Sequence, residues 1–288
     1  MANASPEGGP EPVTVEASAP ATETADAFSC SKLFVEYRTR DRVLRVLEDV
    51  GFSCAQGEFL SILGPSGTGK TTLLRILAGL LAPGEGSSVR FRGEEITGPP
   101  SGVGIVFQNY AASLLQWRTV ERNVALGLEG RTGKAEREER VREALELVGL
   151  GDRGKDYPWQ LSGGMQQRVQ IARALVMRPE VLLMDEPFGA LDAMTKAQLQ
   201  DELLKVAAVT GATVVFVTHD IDEAVYLSDR VLVLAGRPAT VGRELAIDLP
   251  RPRDQVATKE LPAYLAARHR VYEALRAESE TPRVSETR

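Results

Sequence analysis

The sequence predicts an α/β fold with a mostly parallel core sheet, an antiparallel β subdomain and a helical insertion. Three observations carry that prediction. The apolar run Phe59-Leu60-Ser61-Ile62-Leu63 leads into Gly64-Pro65-Ser66-Gly67-Thr68-Gly69-Lys70-Thr71 and then into KTTLLRILA, Lys70 to Ala78, which reads as buried strand, glycine turn and helix. Val181-Leu182-Leu183-Met184 and Ala212 to Val217 are continuous apolar runs, as expected of strands covered on both faces. Between these, residues 109 to 160 change character, with Trp117, Trp159 and a charged helix, Lys134 to Val148, that carries Val141, Ala144, Leu145 and Val148 on one face.

The glycine turn has the form GxxxxGKT, a phosphate-binding loop. Backbone N–H groups left unpaired by the turn and the positive end of the following helix attract a polyphosphate. Lys70 can reach the β- and γ-phosphates, and the Thr71 hydroxyl can ligate Mg²⁺.

In chain order, Leu33 to Tyr37, a polar turn from Arg38 to Arg42, and Val43 to Val50 read as an opening antiparallel pair. Ser88 to Gly93 is a strand ending in a turn. Val103 to Phe107 is a short buried strand that delivers Gln108 at its carboxyl end, the edge where open α/β sheets bind ligands. The runs at 181 and 212 end in Asp185-Glu186 and Thr218-His219-Asp220 on that same edge. Val231 to Leu234 is a late strand. Beyond about residue 240 the chain is rich in Pro and Arg, then forms an amphipathic helix with Leu261, Tyr264, Leu265, Tyr272 and Leu275 on one stripe; residues 279 to 288 are expected to fray.

The chain has 288 residues and a formal charge of −6. Most of the excess acid lies before residue 32, where Glu7, Glu11, Glu16, Glu23 and Asp26 stand without any Lys or Arg. Residues 1 to 27 hold too little apolar area to offset the entropy of ordering, so they are expected to be a disordered acidic tail. The folded part is nearly neutral, without a basic patch, which argues against nucleic acid as a partner. The tail lacks the basic start and apolar core of a signal peptide, and no segment reaches the roughly 18 apolar residues of a membrane span. A soluble cytoplasmic protein is expected, with Cys30 and Cys54 as reduced thiols.

A phosphate-binding loop alone fits kinases, GTPases and many ATPases. The discriminating stretch is Leu161-Ser162-Gly163-Gly164-Met165-Gln166-Gln167-Arg168, a second polar turn opening a helix, read over Val169 to Met177. One chain with two phosphate-binding turns suggests a site shared between two chains. Here the sequence resembles the ATP-binding-cassette (ABC) ATPases, whose LSGGQ signature stands as LSGGM, over roughly residues 30 to 240. The resemblance implies a P-loop NTPase of the ABC ATPase fold, with a catalytic domain over 28 to 240, a helical subdomain at about 109 to 165, and an extension over 241 to 288.

It also implies roles. Gly64, Pro65, Ser66, Gly67, Thr68, Gly69, Lys70, Thr71 and Thr72 would hold ATP, with Thr71, Gln108 and Asp185 on Mg²⁺. Tyr37 would stack on the adenine, unless it is a strand aromatic filling a core. Glu186 would polarise the attacking water; Lys70, Gln108 and His219 complete the catalytic set. Ser162, Gly163 and Gly164 of a second copy would close the phosphate shell. Gly189-Ala190-Leu191-Asp192 matches the loop that crosses the dimer interface, with Gly189 in place of the usual Ser and Asp192 as a further nucleotide contact.

Asn109 to Val120, with Asn123-Val124 beyond, resembles the FQ…LLPW-x-TV-x-x-NV pattern of importers for nitrate, taurine and sulfonates, with Gln116 where that pattern has Pro. That implies a homodimer on the cytoplasmic face of the inner membrane, bound to transmembrane permease subunits and served indirectly by an extracytoplasmic binding protein. Leu114, Leu115 and Trp117 either receive the permease or form the insertion's own core. An exporter ATPase or a soluble non-transport ATPase is the alternative. The C-terminal helix could pack on the catalytic domain, join two copies or bind a regulator.

Overall fold

The computed structural model describes residues 26–38, 43–109 and 113–279. Expectations for the tail before residue 26, for Tyr110 to Ala112 and for the residues after 279 lie outside that range, as does the turn at 39–42. Asp26–Arg38 (β1) and Val43–Ala55 (β2) form a long antiparallel pair. Both exceed the predicted strands, because register shifts along the pair accommodate Lys32 and Asp49, each at positive φ. β1 also takes in Asp26 and Ala27, which the composition had assigned to the tail.

Phe59–Leu63 (β3) and Lys70–Leu77 (α1) flank the phosphate-binding turn. Ser88–Phe91 (β4), Glu94–Glu95 (β5) and Val103–Val106 (β6) follow, then the helices Val120–Val124 (α2), Lys134–Leu147 (α3) and Gly163–Leu175 (α4). The remainder is Val181–Asp185 (β7), Ala193–Thr210 (α5), Thr213–Thr218 (β8), Ile221–Leu227 (α6), Arg230–Ala235 (β9), Thr240–Ala246 (β10), Ala257–Glu260 (α7) and Pro262–Ser279 (α8).

Two sheets result, in the orders β2-β1-β4-β5 and β10-β9-β3-β8-β7-β6. The first is antiparallel; the second is parallel except for β10 at its edge. Successive strand side chains point to opposite faces, and the apolar runs of the parallel sheet divide accordingly. Leu60, Ile62, Leu183, Val215, Val217, Leu232 and Leu234 pack with α1 and the antiparallel sheet. Phe59, Leu63, Leu182, Met184, Val214, Phe216, Val231 and Val233 pack with the helices of the other side. Each such side chain contributes roughly 1.5–3 kcal/mol by leaving water. An uninterrupted apolar run is therefore what a sheet between two cores requires.

Three elements depart from the sequence reading. α4 begins at Gly163, well before Val169, because the Ser162 hydroxyl accepts from Met165 N–H and caps it. α5 has no strong apolar periodicity in the sequence, since its buried face is only Leu199, Gln200, Leu203 and Leu204; it is bounded by Asp192 as N-cap and Gly211 at φ 66 as the stop. β10, an exposed edge strand, likewise has no apolar run to mark it.

The C-terminal extension packs on the catalytic core. The buried face of α8 is Tyr264, Ala267, Val271 and Ala274, whereas Leu265 and Tyr272 are about half exposed. Tyr264 and, partly buried, Leu261 and Leu275 meet the core as the stripe predicts; Leu265 and Tyr272 do not, because Ala267 and Ala274, whose small size permits close approach, lie on the seam. Ahead of α8, the Arg253 guanidinium is fully buried and donates to the carbonyls of Tyr226 (2.7 Å) and Ser228 (2.9 Å). Burial, with the nearby Arg251 charge, lowers its pKa to about 10 despite Asp229 at 3.9 Å.

Candidate active site

The parallel strands end along one edge, and β3, β6, β7 and β8 deliver Gly64, Gln108, Asp185-Glu186 and His219 there. The turn after β3 needs its glycines. Gly69 sits at φ 86, and a Cβ on it would come within 2.7 Å of Val46; a Cβ on Gly64 would lie 2.9 Å from the Leu234 carbonyl. Thr68 ties the turn across itself, its hydroxyl donating to the Pro65 carbonyl at 2.8 Å. Arg237, from the turn after β9, reaches over to the Ser66 carbonyl at 3.0 Å. Nothing in the spacing of the chain had singled Arg237 out, because the contact joins residues 171 apart.

Lys70 is buried inside the turn and donates to the carbonyls of Gly64 (2.7 Å) and Pro65 (2.9 Å). Burial lowers its pKa, with Glu186 and Asp185 opposing. Asp185 is 2% exposed and bonded to the Thr71 side chain; burial nevertheless dominates and holds its carboxyl above the usual aspartate range. Such a buried, hydroxyl-paired carboxylate beside a phosphate-binding turn is a hard oxygen donor set. It fits Mg²⁺, which keeps several waters and takes one or two carboxylates with substrate phosphates.

Glu186 is the centre of a second cluster. Its Oε2 accepts from Gln108 Nε2 at 3.1 Å and stands 3.1 Å from His219 Nδ1. Its backbone is left-handed, at φ 46, a conformation a non-glycine residue adopts at some cost. The bond from Glu186 N–H to the Val217 carbonyl (2.9 Å) fixes that turn against β8 and aims the carboxylate at the edge. Lys70, Thr71, Gln108, Asp185, Glu186 and His219 are thus brought together, with Thr72 following in α1.

The second turn belongs to a different surface. Ser162 is exposed and caps α4, and Gly164 lies against the loop after Glu186: a Cβ there would meet Leu191 at 3.2 Å and the Ala190 carbonyl at 3.4 Å. Gln167, 1% exposed, accepts from Ala190 N–H at 3.2 Å and ties α4 to that loop. Met165 packs on the helical core, so its side chain takes a structural place. Asp192 accepts from Met194 and Thr195 N–H and caps α5, which lowers its pKa. Gly189 has room for a larger residue, its nearest neighbour to a Cβ being the Glu186 carbonyl at 3.6 Å.

Tyr37, on β1, is 38% exposed and so does not fill a core. In the insertion, Leu114 is buried while Trp117 is 75% exposed. Buried Asn123 organises that turn, donating to the carbonyls of Leu115, Arg118 and Thr119 and accepting from Leu115 N–H. Trp159, 68% exposed, stacks on Tyr157 just ahead of the second turn. No helix among the described residues is long and apolar enough to cross a membrane. Cys30 and Cys54 are buried and unpaired, and burial pushes the Cys30 thiol up to about 12.

Comparison with known proteins gives one result. A family profile described as ABC transporter matches residues 47–189. An uncharacterised ABC transporter ATP-binding protein of Methanocaldococcus jannaschii is 51% identical over 219 residues, 76% of this chain and 81% of that protein. The bicarbonate transport ATP-binding protein CmpD of Synechococcus elongatus is 46% identical over 237 residues, covering 81% and 84%. The nitrate import ATP-binding protein NrtC of the same organism is 46% identical over 227 residues, 77% of this chain but 34% of that longer protein. Among solved structures, a dimeric ATP-binding cassette in a post-hydrolysis state with ADP and Pi superposes with a TM-score of 0.70, at 33% identity, over 77% of this chain and 99% of that one.

Proposed function

This chain belongs to the ABC transporter family, and on that premise we propose that it powers a membrane permease importing a small anion such as nitrate, a sulfonate or taurine. It is an ATP hydrolase of the ABC type. The observation that carries the site assignment is the convergence of Gln108 and His219 on one oxygen of Glu186, at the sheet edge shared with Lys70 and Asp185.

In the proposed mechanism, the 64–71 turn and Lys70 bind the phosphates, and Tyr37 offers its exposed ring to the adenine. Thr71, Asp185 and Gln108 would hold Mg²⁺, which when bound neutralises phosphate charge. Glu186 takes a proton from the attacking water, while Gln108 and His219 orient its carboxylate. The exposed Ser162-Gly163-Gly164 turn completes the site of a second copy, so that closure of a head-to-tail pair excludes water and aligns the nucleophile. Dimeric cassettes among the related structures support the pairing.

The import reading is supported by two relatives whose names specify nitrate and bicarbonate, both small planar oxyanions. The exposed Trp117, in the turn that Asn123 orders, offers a permease an apolar contact, giving peripheral attachment at the cytoplasmic face. A binding protein outside the membrane would select the anion. The test is a mild-detergent pull-down from native membranes with the partners identified by mass spectrometry. Recovery of a multi-span permease together with an extracytoplasmic binding protein is expected; soluble partners alone would overturn the transport reading.

A further inference from the structure

Lys196 lies four residues beyond Asp192, in the first turns of α5, and its ammonium sits between two carboxylates. It is 2.7 Å from Asp220 Oδ2 and 2.6 Å from Glu223 Oε1. The Glu223 side chain is 7% exposed and also accepts from the Thr218 hydroxyl. Asp220 donates its backbone N–H to Thr218 Oγ1 at 3.0 Å, and its other carboxylate oxygen caps α6 through Asp222 and Glu223 N–H. Thr218 and Asp220 are the neighbours of His219 on either side. The imidazole between them is 61% exposed and stands 3.1 Å from Glu186.

A buried ion pair adds little net stability, because desolvation offsets the attraction; its better-supported use is to fix one arrangement. Burial works against the charge on Lys196, yet the bonds and charges of Asp220 and Glu223 outweigh it and hold the ammonium protonated. The clamp spans two elements that ring the site: the helix that starts directly after the 189–192 loop and the strand end that presents His219. We propose that Lys196 is a positioning residue that fastens the 218–223 segment to α5, so that His219 meets Glu186 only while that helix is seated. The 189–192 loop, which faces the second copy, thereby acts on the histidine within its own chain.

This rests on the ATPase reading above, and the experiment separates the two. ATP hydrolysis by the full chain is measured under single-turnover and steady-state conditions, alongside binding of a fluorescent ATP analogue. Lys196→Met is expected to lower kcat about tenfold, since small misplacements of reacting groups cost on that order or more, while KM and analogue affinity stay within about twofold. Lys196→Arg is expected to retain most activity, as it keeps both ion pairs. In a His219→Ala background, Lys196→Met is expected to cause no further loss, because residues acting through one another are not additive. If Lys196→Met alone does not fold, Lys196→Met/Glu223→Gln removes the more buried of the two stranded carboxylates and carries the same test. Full activity in either variant, or a loss that multiplies with His219→Ala, overturns the clamp. A wild-type chain without ATPase activity would instead defeat the ATPase reading itself.

Discussion

The two turns that open α1 and α4 have the same backbone logic and opposite settings. The 64–71 turn is closed on itself: Lys70 is buried and bonded to its carbonyls, Thr68 crosses it and Arg237 braces it. The 162–164 turn carries its own cap and sets Gly164 against the 190–191 loop, with Ser162 at the surface. A complete site can be built on the first and not on the second. The difference is what the proposed pairing requires: one phosphate site built within the chain, and an exposed turn that would complete the site of another copy.

The largest effect expected bears on the buried side. Glu186→Gln keeps the bonds to Gln108 and His219 available but removes the base, so hydrolysis is expected to fall by about 10²–10⁴-fold with ATP binding retained. A rate equal to wild type in a phosphate-release assay would remove Glu186 from its role. Next, Ser162→Arg places a bulky cation on the exposed turn. ATP-dependent dimerisation, followed by light scattering on a hydrolysis-deficient background, is expected to be lost, while nucleotide binding to the monomer persists. A dimer that still formed would mean that the second turn serves no partner.

The smallest effect sharpens the account of the buried turn. Asp185 is held above the ordinary aspartate value, so the neutral form is favoured by the fold. The cost of ionising it is absent below about pH 3.9, the unfolded value, and is fully present above the raised one. Asp185→Asn is therefore expected to raise the melting temperature of the nucleotide-free chain at pH 7. The gain is expected to vanish near pH 4. A calorimetric scan showing no rise at pH 7 would mean that Asp185 is already compensated.

Most of the sheet and much of the candidate site were legible because they are local. A strand, a glycine turn and a helix follow one another within Phe59 to Leu77, and Asp185-Glu186 ends its own strand. The missing parts are those fixed by distant contacts. Arg237 on Ser66, Arg253 beneath α6 and Lys196 between Asp220 and Glu223 are ordinary surface charges in the sequence, and become structural only when the sheet brings their partners near. The part of the α8 seam that departs from the predicted stripe does so for a related reason. An alanine that packs and an alanine that does not are the same letter, and only β9 and α6 on the other side distinguish Ala267 and Ala274 from the rest.

The bond from Ala190 to Gln167 has a mechanical meaning. Ala190 belongs to the loop that leaves Glu186, and Gln167 belongs to the helix whose first turn faces outward. In the proposed pairing, a push on that outward turn by a neighbour would be delivered, through the buried Gln167 side chain, to the backbone just behind the carboxylate of the same chain. Two such molecules set face to face would form a closed ring of levers, in which each one's grip on the other is also a hand on its own trigger.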